Sequence, residues 1–137
     1  MYSIIVKFDL EGYHKWPKAP EQYKRLESEH GHIFHFEVEI PVEHFDRFIE
    51  ILEARRILRK DLLGSYGTGG MREEPCNFGG KSCEHLAKFL ADTVSNVWKV
   101  DALRVVVMED EFVGAAYTPE VATRLSVSIL DKAKLIC

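Results

Sequence analysis

Apolar and polar residues alternate from the start of the chain. Tyr2, Ile4, Val6, Phe8 and Leu10 interleave with Ser3, Lys7 and Asp9, the period of a strand with one buried face. Residues 11–29 are interrupted by Gly12, Pro17 and Pro20 and read as a long loop with at most one helical turn. Alternation resumes over 30–40, with Phe34, Phe36, Val38 and Ile40 on one face and His35, Glu37 and Glu39 on the other. Pro41 has no ladder donor and is expected to end this strand. Phe45, Phe48, Ile49 and Leu52 then fall at helical spacing and predict a helix over 43–62. The glycine-rich residues 64–80 predict a loop. Ser82 is a candidate N-cap for a second helix, with Leu86, Phe89, Leu90, Val94 and Val97 along one stripe. A Val-rich strand over 102–109, a turn over 110–114 and a short strand ending near Tyr117 follow. Pro119 is placed to open a C-terminal helix with Ala122, Leu125, Ile129 and Ala133 inward. The order is strand, strand, helix, helix, strand, strand, helix, an α+β chain. No linker or repeat divides it, so residues 1–137 are read as a single domain.

At 137 residues the chain can bury a real core. Its 46% hydrophobic and 29% charged residues are ordinary for a globular protein. Net charge is −4, without a basic run, which argues against nucleic acid or an acidic membrane as partner. No segment has the length of a transmembrane helix and the first residues lack a signal-peptide pattern. Cys76, Cys83 and Cys137 are an odd number without metal-ligand spacing, so a reducing cytoplasm is expected.

The candidate chemistry lies in the histidines. His30 and His32 are two apart on a strand and share a face, with Gly31 between them. Two imidazoles so placed can take neighbouring corners of a tetrahedral Zn²⁺ site. By itself such a pair is more often two ordinary polar residues than a metal site. His14, in the loop after the first strand, is a candidate third ligand, because an antiparallel hairpin can bring it beside His30. Three protein ligands would leave the fourth position open to water or substrate. His35 faces away from the pair, His44 is expected to be exposed, and His85 falls in the first turn of the second helix.

A loop histidine, His30-Gly31-His32, SCEHLAKFL opening a helix and the strand VVVMEDEFVGAAY together resemble the 6-pyruvoyltetrahydropterin and 6-carboxytetrahydropterin synthases, over about residues 2–117. The resemblance implies the tunnelling fold: a four-stranded antiparallel sheet with two helices between strands two and three, plus a C-terminal helix. It implies a catalytic Zn²⁺ on His14, His30 and His32, and a pterin ring anchored by Glu109. Ser82 and Cys83, with Glu84 and His85, match the stretch that lines the ring pocket. A carboxylate suits a 2-amino-4-oxo pyrimidine edge, which presents two parallel N–H groups. Without the family, Glu109 reads equally well as part of an acidic turn with Asp110 and Glu111.

The chain departs from the synthases in their proton-transfer groups. Their cysteine four residues before the first motif histidine is Leu26 here, and their Asp-His pair has no counterpart, since residues 61–80 hold no histidine. Glu27 gives Glu-x-x-His-Gly-His, similar to a branch in which glutamate replaces the cysteine. Cys83, at a helix start, is a second candidate as a reactive thiolate. The reading implied is a zinc-dependent, lyase-like enzyme resembling 6-carboxytetrahydropterin synthase, with a small pterin-like substrate such as 7,8-dihydroneopterin triphosphate. It would act in a pterin or 7-deazaguanine (queuosine precursor) pathway, as a cytoplasmic homo-oligomer built on trimers or a hexamer. The alternative is a zinc-containing pterin- or purine-binding oligomer without catalysis.

Overall fold

The computed structural model describes residues 2–43 and 49–119. His44, Phe45 and Phe48, and the C-terminal helix expected from Pro119 onward, lie outside the described residues apart from Pro119 itself. The elements run β1 (Tyr2–His14), a 3-10 helix (Glu21–Glu27), β2 (His30–Val42), α1 (Ile51–Tyr66), β3 (Cys76–Gly79), α2 (Cys83–Trp98), β4 (Arg104–Glu109) and β5 (Val113–Tyr117). The α+β class is as expected. Among the described residues the sheet has five strands rather than four, in the order β3-β1-β2-β4-β5, and it is mixed because β3 runs parallel to β1.

The extra strand comes from the segment read as a loop. Cys76 and Phe78 are apolar positions two apart and both are buried against the sheet. Glycine content hid that alternation. Gly12 on β1 makes the packing possible, since a Cβ there would lie 2.5 Å from the Phe78 ring.

One face of the sheet carries the core. Ile4, Val6, Phe8 and Leu10 of β1, Phe34, Phe36, Val38 and Ile40 of β2, and Val105 and Val107 of β4 are buried. They pack with Leu58 and Leu62 of α1 and Leu86, Leu90 and Val94 of α2 in one cluster. The opposite face is polar or exposed, with Ile5 58% exposed. Strand β2 runs through Pro41 to Val42. Its pairing with β4 ends at Glu39, so among the described residues β2 beyond that point has a neighbour on one side only, where proline is tolerated.

Helix α1 is displaced toward the C-terminus from its expected 43–62 span. Glu50 caps it, accepting from the Leu52 and Glu53 amides, and the helix continues through Gly64 to Tyr66. Its buried stripe is Ala54, Leu58, Leu62 and Leu63, while Leu52 is exposed. Helix α2 starts as expected at the Ser82 cap, where the Ser82 side chain accepts from the His85 amide and the His85 ring accepts from the Ser82 amide. Val97, expected on the apolar stripe, is 45% exposed. No described helix is long and apolar enough to cross a membrane.

Candidate metal centre and ligand cavity

Strand parity assembles the site. His14 is the last residue of β1, not part of a loop, and its Cα partner on β2 is His30; Gly12 is opposite His32. His14 shares its face with Leu10, and His30 and His32 share theirs with Phe34. The three imidazoles therefore continue the core stripe to the end of the sheet, where packing gives way to a cavity. Glu109 sits opposite Phe34 on β4, in step with the buried Val105 and Val107. It faces the same space.

One ring nitrogen from each of the three histidines lies within 4.8 Å of the other two. Each Nδ1 is already engaged: His14 with the Lys81 carbonyl at 2.9 Å, His30 with the Ser28 carbonyl at 2.9 Å, and His32 with Asp110 Oδ2 at 2.5 Å. An Nδ1–H donating to oxygen leaves the lone pair of the neutral ring on Nε2. His32 Nε2 is buried and has no hydrogen-bond partner. Glu109 brings Oε1 to 3.2 Å from His14 Nε2 and Oε2 to 3.5 Å from His32 Nε2.

Neutral imidazole nitrogens facing a carboxylate form a set of acceptors without a hydrogen among them. A cation satisfies such a set. Three imidazole donors with second nitrogens held by oxygens are the donor set that Zn²⁺ favours. The residues present therefore fit the metal that the sequence suggests. Burial holds His14 in its neutral form, lowering its pKa below 6.5, against the opposing pull of the Lys81 carbonyl and the Glu109 charge.

The cavity beside the histidines has a volume of about 620 Å³ and is lined by His14, His30, His32, Glu109, Ser82 and Cys83. Lys15, Trp16, Leu26, Lys81 and His85 complete much of its wall. Sequence reasoning missed Trp16 and the two lysines; their nearness to His14 and Ser82 was the available signal. Trp16 stacks on Tyr23, with ring centroids 5.8 Å apart.

The two candidate catalytic groups lie in different surroundings. Cys83 is buried at the first turn of α2. Burial, reinforced by the neighbouring Glu109 charge, pushes its pKa up to about 12, and its S–H donates toward Glu109 Oε1 at 3.5 Å. The helix N-terminus is outweighed. At the end of the 3-10 helix, Leu26 reaches the cavity wall and Glu27 does not; the Glu27 carboxylate pairs with Lys24 at 2.6 Å. His85 is held by the Ser82 cap and lines the cavity, while His35 pairs with Asp9 on the opposite face of the sheet.

Solved structures share this architecture. An uncharacterised protein from Wolinella succinogenes aligns with a TM-score of 0.58 and 14% identity, covering 86% of this chain and 98% of its own. A 6-pyruvoyltetrahydropterin synthase from Plasmodium vivax, a mutant in which a catalytic glutamate is replaced by alanine, aligns at 0.53 with 10% identity, covering 85% and 96%. At these identities the likeness is one of fold. No curated protein sequence matches the chain. The sequence model of 6-pyruvoyl tetrahydropterin synthase matches residues 3–120, a span that takes in all three histidines, the cavity and Glu109, and by that match the chain belongs to the 6-pyruvoyl tetrahydropterin synthase family.

Proposed function

We propose that the chain is a zinc-dependent enzyme acting on a reduced pterin such as 7,8-dihydroneopterin triphosphate. The observation that carries this reading is the convergence of three imidazoles, each held through Nδ1, with Glu109 in one cavity. Bound zinc there would polarise a side-chain carbonyl or hydroxyl and acidify the neighbouring C–H. The protein's own residues would do the rest. Glu109 offers two carboxylate oxygens to a 2-amino-4-oxo pyrimidine edge, and the neutral Cys83 thiol lies against them. Trp16 supplies a flat apolar wall, and Lys15 and Lys81 supply cations for a phosphorylated tail. Glu27 is the first candidate for the base, released from Lys24 by a change of side-chain rotamer; the catalytic glutamate of the Plasmodium relative supports this choice. Incubating zinc-loaded protein with that substrate and identifying products by mass spectrometry tests the reading.

A second reading, a pterin- or purine-binding protein without turnover, is favoured by two observations. Leu26 occupies the cavity wall where the synthases carry a cysteine, and the Cys83 thiol is held neutral. Glu109→Gln bears on both readings. Replacing the charged acceptor by an amide is expected to weaken binding of a reduced pterin by about 1.5–3 kcal/mol. Calorimetric titration measures it, and equal affinities would return Glu109 to the acidic turn.

The chain is also proposed to be a homo-oligomer, trimeric or hexameric. Strands β3 and β5 are the sheet edges among the described residues, and open edges need a partner or a cover. Sedimentation at micromolar concentration is expected to show an oligomer; a stable monomer would contradict it.

A further inference from the structure

We propose that Asp110 is a positioning residue of the metal centre, holding the His32 ring through Nδ1–H so that Nε2 faces the ion and is strengthened as a donor. The proposal rests on the zinc reading above and adds to it a residue outside the three ligands.

Asp110 grips β2 three times beside His32. Its Oδ2 accepts from His32 Nδ1 at 2.5 Å, and its Oδ1 accepts from the Ile33 amide at 2.8 Å. Its own amide donates to the Ile33 carbonyl at 2.9 Å. Both carboxylate oxygens are thus fixed, and so is the main chain that carries them.

The backbone at this point is unusual. Asp110 and Glu111 are the central residues of a turn closed by the Phe112 amide on the Glu109 carbonyl at 3.2 Å. Both are left-handed, with φ of 54° and 71°. Turns of this kind favour asparagine, aspartate or glycine at the first central position and glycine at the second. Asp110 suits its left-handed position, and the turn directs its carboxylate back onto His32 and the Ile33 amide of β2.

The acceptors behind the other two rings are different. His14 and His30 donate to main-chain carbonyls, which are neutral. Asp110 supplies a charged acceptor. A carboxylate behind an imidazole fixes its tautomer and orientation and makes the opposite nitrogen more basic. Zn²⁺ held by three neutral imidazoles would carry two positive charges, and the Asp110 carboxylate would offset part of them through His32.

The test is zinc affinity of metal-stripped protein, measured by competition with a chromophoric chelator, alongside thermal stability. Asp110→Asn removes the charge and one acceptor, and Asp110→Gly removes the side chain while relaxing the turn. Both are expected to bind zinc about 10- to 100-fold more weakly. Asp110→Gly is expected to melt no lower than wild type, and the ligand-field bands of cobalt-loaded Asp110→Asn should shift. Unchanged affinity in both variants would overturn the proposal and leave the zinc site standing. Affinity loss matched by an equal stability loss in Asp110→Gly would make Asp110 a hairpin residue only, which also overturns it. Wild-type protein without zinc affinity would remove the zinc reading itself, and the proposal with it.

Discussion

His30→Ala and His32→Ala are each expected to reduce bound zinc from close to one ion per chain to a small fraction, read by elemental analysis of the purified proteins. Each substitution leaves two imidazoles for the ion, one fewer than the three protein ligands that an open zinc site uses. Neither side chain is part of the buried hydrophobic core, so the fold should survive and the loss should be specific. Full zinc occupancy in both variants would refute the site. The same centre sets a pH dependence. Zinc needs neutral rings and should be released as pH falls below about 6. For His14 the sign is definite, because burial lowers its pKa below 6.5. The unfolded chain then takes up the proton first as pH falls. Metal-free protein should accordingly lose stability below that value, and the His14 contribution should be constant above it.

With zinc and 7,8-dihydroneopterin triphosphate, formation of 6-carboxytetrahydropterin is expected to be about 10²- to 10⁴-fold slower than for a synthase that keeps its proton-transfer groups. Leu26 lines the cavity and has no proton to move, and Cys83 is held as a neutral thiol. Mass spectrometry of the products, repeated with Glu27→Gln and Cys83→Ala, separates the outcomes. A new product lost in Glu27→Gln would identify Glu27 as the base. A new product unaffected by either substitution would leave an enzyme whose base is neither residue. Robust synthase turnover by wild type would show that the missing cysteine and Asp-His pair are not needed.

Much of the arrangement was legible because strand parity is local. The two-residue period of β1 and β2 sorted the buried residues from the exposed ones and put His30 beside His32 without reference to the rest of the fold. Ser82 announced the start of α2 because a cap acts within one turn. Register is not local. Only the pairing of β1 with β2 decides that His14 ends a strand opposite His30, and only the pairing of β2 with β4 puts Glu109 beside Phe34. Strand β3 was hidden because it is four residues long and its two buried residues, Cys76 and Phe78, are covered by elements distant in sequence, with glycines around them. The thiol of Cys83 depended on depth: sequence showed the helix end that would ionise it, and tertiary packing supplied the desolvation that does not. Asp110 shows the same division. Its place in an acidic turn was written in the sequence, while its contact with His32, 78 residues away, exists only once β4 lies against β2.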